Sequence, residues 1–170
     1  ELKSRGLGDV YKRQGMGEPL LNFDNVIEAT KIIKDQNAYG LSRKRITIST
    51  SGIVPNIKKL NKHVDVSLAI SLHAANDDLR DKIVPINKKY PIKMLLNSCI
   101  DFLADHDNKR HITIEYILIK DINDSHEDAK SLVSLLSTFP CKINLIPFNK
   151  FEGSDYERPS NNRINNFKNC

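Results

Sequence analysis

At 170 residues the chain is long enough for one domain with a substantial core. No apolar run approaches the roughly 20 residues that a membrane span needs, and no signal-peptide pattern opens it, so a cytoplasmic protein without a membrane partner is expected. Cys99, Cys141 and Cys170 are odd in number and far apart, and His63, His73, His106, His111 and His126 lack ligand spacing. This argues against a disulfide framework or a metal site within the chain. The net charge of +5 includes +2 from the first fourteen residues and permits an RNA partner without demanding one.

Residues 1–14 are polar, show no strand pattern and read as a non-native leader in place of an apolar strand; residues 15–170 read as the domain. The chain starts without Met and stops at Asn169-Cys170 in a helix-like stretch, so it reads as a fragment. Gly15-Met16-Gly17-Glu18-Pro19-Leu20-Leu21-Asn22 follows as a tight loop. Its glycines permit a sharp turn and close backbone approach, Pro19 stops a strand, and Glu18 offers a carboxylate suited to a ligand ammonium. Asp24 is placed to cap a helix to about Gln36, with Val26, Ala29, Thr30 and Ile33 on one face and Tyr39-Gly40 ending it. Arg45 to Ser49 alternates as a strand, and Ser51-Gly52 turns it into a short helix carrying Ile53, Ile57 and Leu60.

Asp65 to Leu72 is apolar on both faces, as a parallel strand beneath helices would be. Asn76 caps a helix to Ile83, and Val84 to Asn87 connects it to a second helix from about Pro91 bearing Ile92, Leu95, Leu96, Cys99 and Leu103. After a polar loop from Asp105 to Arg110, His111 to Lys120 alternates as a strand. Ser125-x-x-Asp128 reads as a capping-box variant opening a helix with Ala129, Leu132, Val133 and Leu136. Lys142 to Ile146 is the last strand. Phe148 to Pro159 is a loop, and Ser160 opens a helix with Ile164 and Phe167. Strand and helix alternate without hairpin signals, which predicts a parallel α/β sheet, either doubly wound or a barrel.

Just past the strands lie Gly17-Glu18, Ser49-Thr50-Ser51, Ser71-Leu72-His73, Asn123-Asp124 and Pro147-Phe148-Asn149. In either architecture the C-terminal strand ends form the ligand face. Caps and turns are the favoured reading for Asn123, Asp124 and Ser125, while Ser51 fits either role. Glu115 is either a buried acid facing a barrel interior or a solvent-side residue. Arg43-Lys44-Arg45 forms a solvated basic rim or a set of phosphate contacts, which Lys88, Lys89 and Lys150 could extend.

Five segments carry a resemblance: the Gly15–Asn22 loop, Leu41 to Gly52, Ala69 to Ala74, Ile83 to Tyr90, and Cys141 to Asn149. In this order, from Gly15 to Cys170, the chain resembles the RlmN-type radical S-adenosylmethionine RNA methyltransferases. The resemblance implies an α/β fold, a partial six-stranded (β/α)6 TIM-like radical SAM barrel, of which this chain supplies strands three to six and is incomplete. It implies S-adenosylmethionine held by Gly17, Glu18, Ser49, Ser71, Leu72, His73 and Asn149, with Glu18 at its amino group. A [4Fe-4S] cluster is implied for the full-length protein, along with a radical mechanism that methylates carbon 2 of adenine in 23S rRNA and tRNA. Arg43, Lys44 and Arg45 are RNA-contact candidates, the partners are ribosomal RNA, tRNA and a reductase electron donor, and a monomer is expected.

The cluster-binding C-x-x-x-C-x-x-C and the catalytic downstream cysteine of that family are absent, so the chain alone is expected to be inactive and no catalytic or metal-ligating residue is assigned within it. Cys99, Cys141 and Cys170 read as packing cysteines. A carbon-8 adenine methyltransferase of the same superfamily and a non-catalytic RNA-binding remnant are the alternatives. A phosphate-handling barrel is disfavoured because no Gly-rich loop follows the last strands.

Overall fold

The computed structural model describes residues 11–12, 17–104 and 110–170. Gly15, Met16, His106, most of the 1–14 leader and nearly all of the loop before Arg110 therefore lie outside the described residues.

Five strands make one parallel sheet in the order of the sequence: β1 Tyr11–Lys12, β2 Ile46–Thr50, β3 Ser67–Ser71, β4 Ile112–Leu118 and β5 Cys141–Pro147. The helices are α1 Phe23–Lys34, α2 Val54–Leu60, α3 Asp77–Ile83, α4 Ile92–Ala104, α5 His126–Leu136 and α6 Asn161–Lys168. A doubly wound sheet reverses its strand order at a switch point. This sheet has no reversal, so the choice between the two predicted architectures falls to a barrel wall, open among the described residues between β5 and β1. Tyr11–Lys12 pairs with Ile46–Thr47 inside a stretch in which no strand was expected. Parallel pairing is made by the backbone, so an alternating side-chain pattern is not needed for two residues to join an edge.

The alternation along each strand decides which face is which. Ile46, Ile48, Leu68, Ile70, Ile112, Ile114, Tyr116 and Leu118 all point to one side and are buried. Against them pack Val26 and Ile27 of α1, Ile57 and Leu60 of α2, Leu95, Cys99 and Phe102 of α4, and Ala129, Leu132 and Leu136 of α5. Each fully buried Leu or Ile contributes about 1.5–3 kcal/mol of apolar burial. The core is thus one layer between sheet and helices. The opposite face carries Thr47, Ser49, Ser67, Ser71, Thr113 and Glu115.

Three of the expected caps form, but Asp24 does not cap α1: the helix starts at Phe23, with Asn22 at the cap position and Asp24 in the first turn. Asn76 Oδ1 accepts from Leu79 N at 2.9 Å, and Ser160 Oγ accepts from Arg163 N at 3.3 Å. The Ser125–Asp128 capping box is complete: Asp128 N donates to Ser125 Oγ at 3.0 Å and Ser125 N donates to Asp128 Oδ2 at 3.1 Å. Other expectations differ in detail. Helix α1 ends at Lys34 rather than Gln36, with Ile27 in place of Ala29 on the buried face. Val133 is half exposed, because the α5 stripe that meets the core is Ala129, Leu132 and Leu136. Cys99 is core, but Cys141 is only half buried on the edge strand. Cys170 lies beyond the end of α6 and is exposed, with Sγ 2.7 Å from His126 Nδ1, so it is not a packing cysteine.

Candidate cofactor site at the C-terminal strand ends

Glu18 is the latch of the site. Pro19 starts a 3-10 turn over Pro19–Asn22, and Glu18 caps it, with Oε1 accepting from Leu20 N at 3.0 Å. The same oxygen accepts from Thr50 Oγ1 at 2.7 Å, while Oε2 accepts from Ser51 N at 2.6 Å and Ser51 Oγ at 2.7 Å. A carboxylate offers about four lone-pair positions, and these four donors engage both oxygens. Glu18 therefore pins its loop to the end of β2. Immediately before it, Gly17 has φ +116°, and a Cβ built there meets nothing within 4 Å among the described residues. That backbone is exposed, in a conformation that favours glycine.

Arg80 joins the ends of β2 and β3. It is fully buried on α3, and Nε donates to Leu72 O at 3.0 Å. Nη2 donates to Ser51 O at 2.6 Å and Ser71 O at 3.2 Å, and Nη1 donates to Asn87 Oδ1 at 2.9 Å. Asn87 in turn donates to Asp77 Oδ1 at 2.8 Å and Asp81 Oδ1 at 2.7 Å. Burial pulls the guanidinium pKa down to about 10, with Asp77 and Asp81 opposing, so it stays charged at neutral pH. Sequence reasoning missed Arg80. The signal available was a cation at helical spacing between Asp77 and Asp81, ahead of the Val84-Pro85-Ile86-Asn87 connector.

His73 follows β3 with φ +61°, a left-handed conformation that few non-glycine residues adopt. Its Nδ1 accepts from Ile117 N at 3.2 Å, and its carbonyl accepts from Asn123 Nδ2 at 3.0 Å. An accepting Nδ1 fixes the neutral tautomer with the proton on Nε2, so His73 has a donor left to offer. Burial lowers its pKa to about 4, against a smaller raising effect of Glu115 and a lowering one of Arg80. The unfolded chain therefore binds more protons than the folded one between pH 6.5 and 4. Stability is complete above the first value and falls as pH drops to the second, by up to about 3 kcal/mol. Urea midpoints across that range should show this slope in the parent. His73→Asn, which tolerates positive φ, should remove that part of it.

The other predicted residues divide cleanly. Asn123 is fully buried; Oδ1 accepts from Ile119 N at 2.7 Å and Nδ2 donates to Ile117 O at 2.7 Å, so it braces the turn after β4, as the turn reading expected. Asp124 accepts from Asp121 N at 3.0 Å, also a turn contact. Ser51 is occupied by Glu18 and Arg80, which resolves its two readings towards the turn. Glu115 is only 7% exposed, and its Oε2 accepts from Ser49 Oγ at 3.1 Å and Ser71 Oγ at 3.3 Å. It is the buried acid on the interior face, not a solvent-side residue. Leu72 is buried, with its N donating to Glu115 O at 3.0 Å, and Asn149 is exposed beyond β5.

Arg43, Lys44 and Arg45 form a 3-10 turn entering β2, at the end of the sheet opposite Glu18 and His73. Arg43 Nε lies 4.0 Å from Asp65 Oδ2, while Lys44 and Arg45 are exposed. Lys150 follows the end of β5, and Lys88 and Lys89 follow Asn87, which Arg80 ties to the ends of β2 and β3, so these lysines do not extend this rim.

Sheet order and the converging strand ends specify a barrel-type ligand face, and sequence comparison identifies which one. The Radical SAM superfamily model matches residues 3–133. The chain belongs to the Radical SAM superfamily. Among its relatives, proteins named dual-specificity RNA methyltransferase RlmN from Pseudomonas putida (strain W619) and Pseudomonas entomophila (strain L48) are each 62% identical over 154 residues, 91% of this chain. The chain spans 40% and 41% of their respective lengths. A radical SAM methyltransferase from Sphaerobacter thermophilus superposes with a TM-score of 0.88 at 40% identity, over 93% of this chain and 46% of that one. A domain of pyruvate-formate lyase-activating enzyme from Bacteroides vulgatus shares the fold at a TM-score of 0.68 and 18% identity, over 95% of this chain and 92% of that one.

The superfamily uses S-adenosylmethionine and a [4Fe-4S] cluster, and the residues here fit the two differently. An accessible Gly17 backbone, a neutral imidazole with a free donor, two serine hydroxyl oxygens and an exposed Asn149 amide make a set of donors and acceptors for an amino acid and a nucleoside. The cysteines do not make a cluster site: Cys99 is behind the sheet, Cys141 starts β5 and Cys170 lies past α6. Among the described residues no group of three or more His, Cys, Asp or Glu could hold a metal ion.

Proposed function

We propose that this chain is the S-adenosylmethionine-holding part of an RNA methyltransferase that modifies carbon 2 of adenine in 23S rRNA and tRNA. The observation that carries the reading is the latched Gly17-Glu18 loop at the C-terminal strand ends of a radical SAM sheet, in a chain 62% identical to proteins named RlmN. Gly17, Glu18, Ser49, Ser71, Leu72, His73 and Asn149 hold the cofactor. When bound, S-adenosylmethionine supplies the methyl group.

The chain's own residues do the positioning. Glu18 fixes the loop so that the Gly17 backbone meets the ligand amino group. Arg80 keeps the β2 and β3 ends at constant separation beneath it. His73 donates through Nε2–H, and the Asn149 amide is free to pair with the base. Arg43, Lys44 and Arg45 contact RNA phosphates at the opposite rim, which requires an RNA long enough to reach around the sheet edge; each such contact adds close to one unit of salt slope. The protein works as a cytoplasmic monomer, with a reductase as electron donor.

The test is mass spectrometry of adenosines in RNA from cells lacking their own enzyme and expressing the protein at its relatives' full length. Methylation at carbon 2 is the expected result. Methylation at carbon 8 would move the protein to the other branch, and unmodified RNA with salt-sensitive binding would leave an RNA-binding role.

A further inference from the structure

The interior face of the sheet carries a polar arrangement that the cofactor-holding role does not by itself require. Ser49 on β2, Ser71 on β3 and Glu115 on β4 all stand opposite the buried Ile48, Ile70 and Ile114. Ser71 is in register with Glu115, whereas Ser49 is in register with Ala69, which pairs in turn with Thr113. To reach Ser49 the Glu115 carboxylate must cross two strand spacings of about 4.8 Å each. Ala69, the smallest side chain in that row, leaves the path open.

Glu115 Oε2 accepts from both hydroxyls, at 3.1 Å from Ser49 and 3.3 Å from Ser71. A serine hydroxyl has one proton and two lone pairs. With both protons directed at the same carboxylate oxygen, each serine has only lone pairs left for anything else. Two acceptors backed by a buried carboxylate favour a ligand group that donates hydrogen bonds or carries positive charge.

We infer that Glu115 is a positioning residue that sets the hydrogen-bond polarity of Ser49 and Ser71, and so makes this patch of the site selective for the donor-bearing, cationic part of S-adenosylmethionine. This rests on the cofactor reading above. Glutamine at 115 keeps the shape and can place its amide oxygen where Oε2 stands, but without the charge that oxygen holds the two hydroxyl protons less firmly. The serines then present their lone pairs to the ligand's donors less strictly.

The experiment is calorimetric titration of cluster-loaded full-length protein with S-adenosylmethionine, for the parent, Glu115→Gln, Ser49→Ala/Ser71→Ala and the combined variant. Glu115→Gln is expected to weaken binding about ten-fold, and this loss is expected to vanish when both serines are already alanine. A residue that merely supported the fold would lower the melting temperature and leave no such coupling. Parent-like affinity in Glu115→Gln, or an equal loss in the serine-free background, overturns the inference while leaving the cofactor reading intact. If the parent itself does not bind S-adenosylmethionine, both fall. Should Glu115→Gln fail to fold, Glu115→Asp carries the same test. It keeps the charge but is one methylene too short for Ser49, so its loss should disappear against Ser49→Ala; persistence there overturns the inference.

Discussion

Replacing Arg80 with Met should destabilise the folded protein by about 3–5 kcal/mol, the range for removing one partner of a buried charged network. The Met side chain fills similar volume, so the loss isolates polar pairing rather than a cavity. Four acceptors lose their donor at once: the carbonyls of Ser51, Ser71 and Leu72, and the Asn87 side chain. Asp77 and Asp81 would also be left facing a neutral group, and Ile92 N, which donates to Asp77 Oδ1 at 2.9 Å, ties the start of α4 to the same network. Arg80→Lys should recover only part of the loss. An ammonium is a point donor and cannot span the acceptors that a planar fork reaches together. Urea unfolding of the full-length variants measures this, and a loss below about 1 kcal/mol for Met would show that water replaces the guanidinium without difficulty.

The second large effect is expected at Glu18. Glu18→Gln keeps one accepting oxygen but turns an N–H towards donors it should receive. Each native carboxylate oxygen receives one backbone N–H and one hydroxyl, so whichever side the new N–H takes, the hydroxyl there must reverse and the backbone N–H of Leu20 or Ser51 loses its acceptor. Each hydrogen bond to a charged group is worth about 1.5–3 kcal/mol, so the loop should lose its fixed position before the rest of the sheet responds. The expected signature is split: S-adenosylmethionine affinity falls on the order of a hundred-fold, while the urea midpoint falls far less than in Arg80→Met. Hydrogen exchange of the Leu20 and Ser51 amides should accelerate in parallel. Unchanged exchange together with lost binding would mean that the carboxylate acts on the ligand directly and not as a latch.

What the sequence discloses and what it conceals follow from how each residue acts. Alternation in Ile46–Thr50 and Ile112–Leu118, the Asn76 and Ser160 caps and the Ser125–Asp128 box were legible because they are local: their partners lie within four residues. The strand-end clusters were legible as a face, since the end of each strand is fixed by the turn that follows it. Arg80 was not, because its acceptors come from two strands and a turn 7 to 29 residues away. Glu115 was ambiguous for the same reason. Its partners are 44 and 66 residues distant, and only the inter-strand register shows that Ser71 sits beside it. The basic rim was misjudged as one surface because charge in a sequence carries no sense of which end of a strand it occupies. Arg43 to Arg45 enter β2, whereas Lys150 follows β5.

The strand order carries a consequence for how the molecule is made. Every strand from β2 to β5 pairs with the one that left the ribosome just before it, so no partner has to be awaited from the far end of the chain. The sheet can grow by accretion during translation, one strand and its covering helix at a time, each loop closure being short. At every stage of that growth the newest strand is the bare edge, and the next segment to emerge is the one that covers it. The protein is therefore most exposed to mispairing during a pause in synthesis, and a slow codon placed after β3 would prolong that exposure more than one placed after α4, whose residues already shield the apolar face.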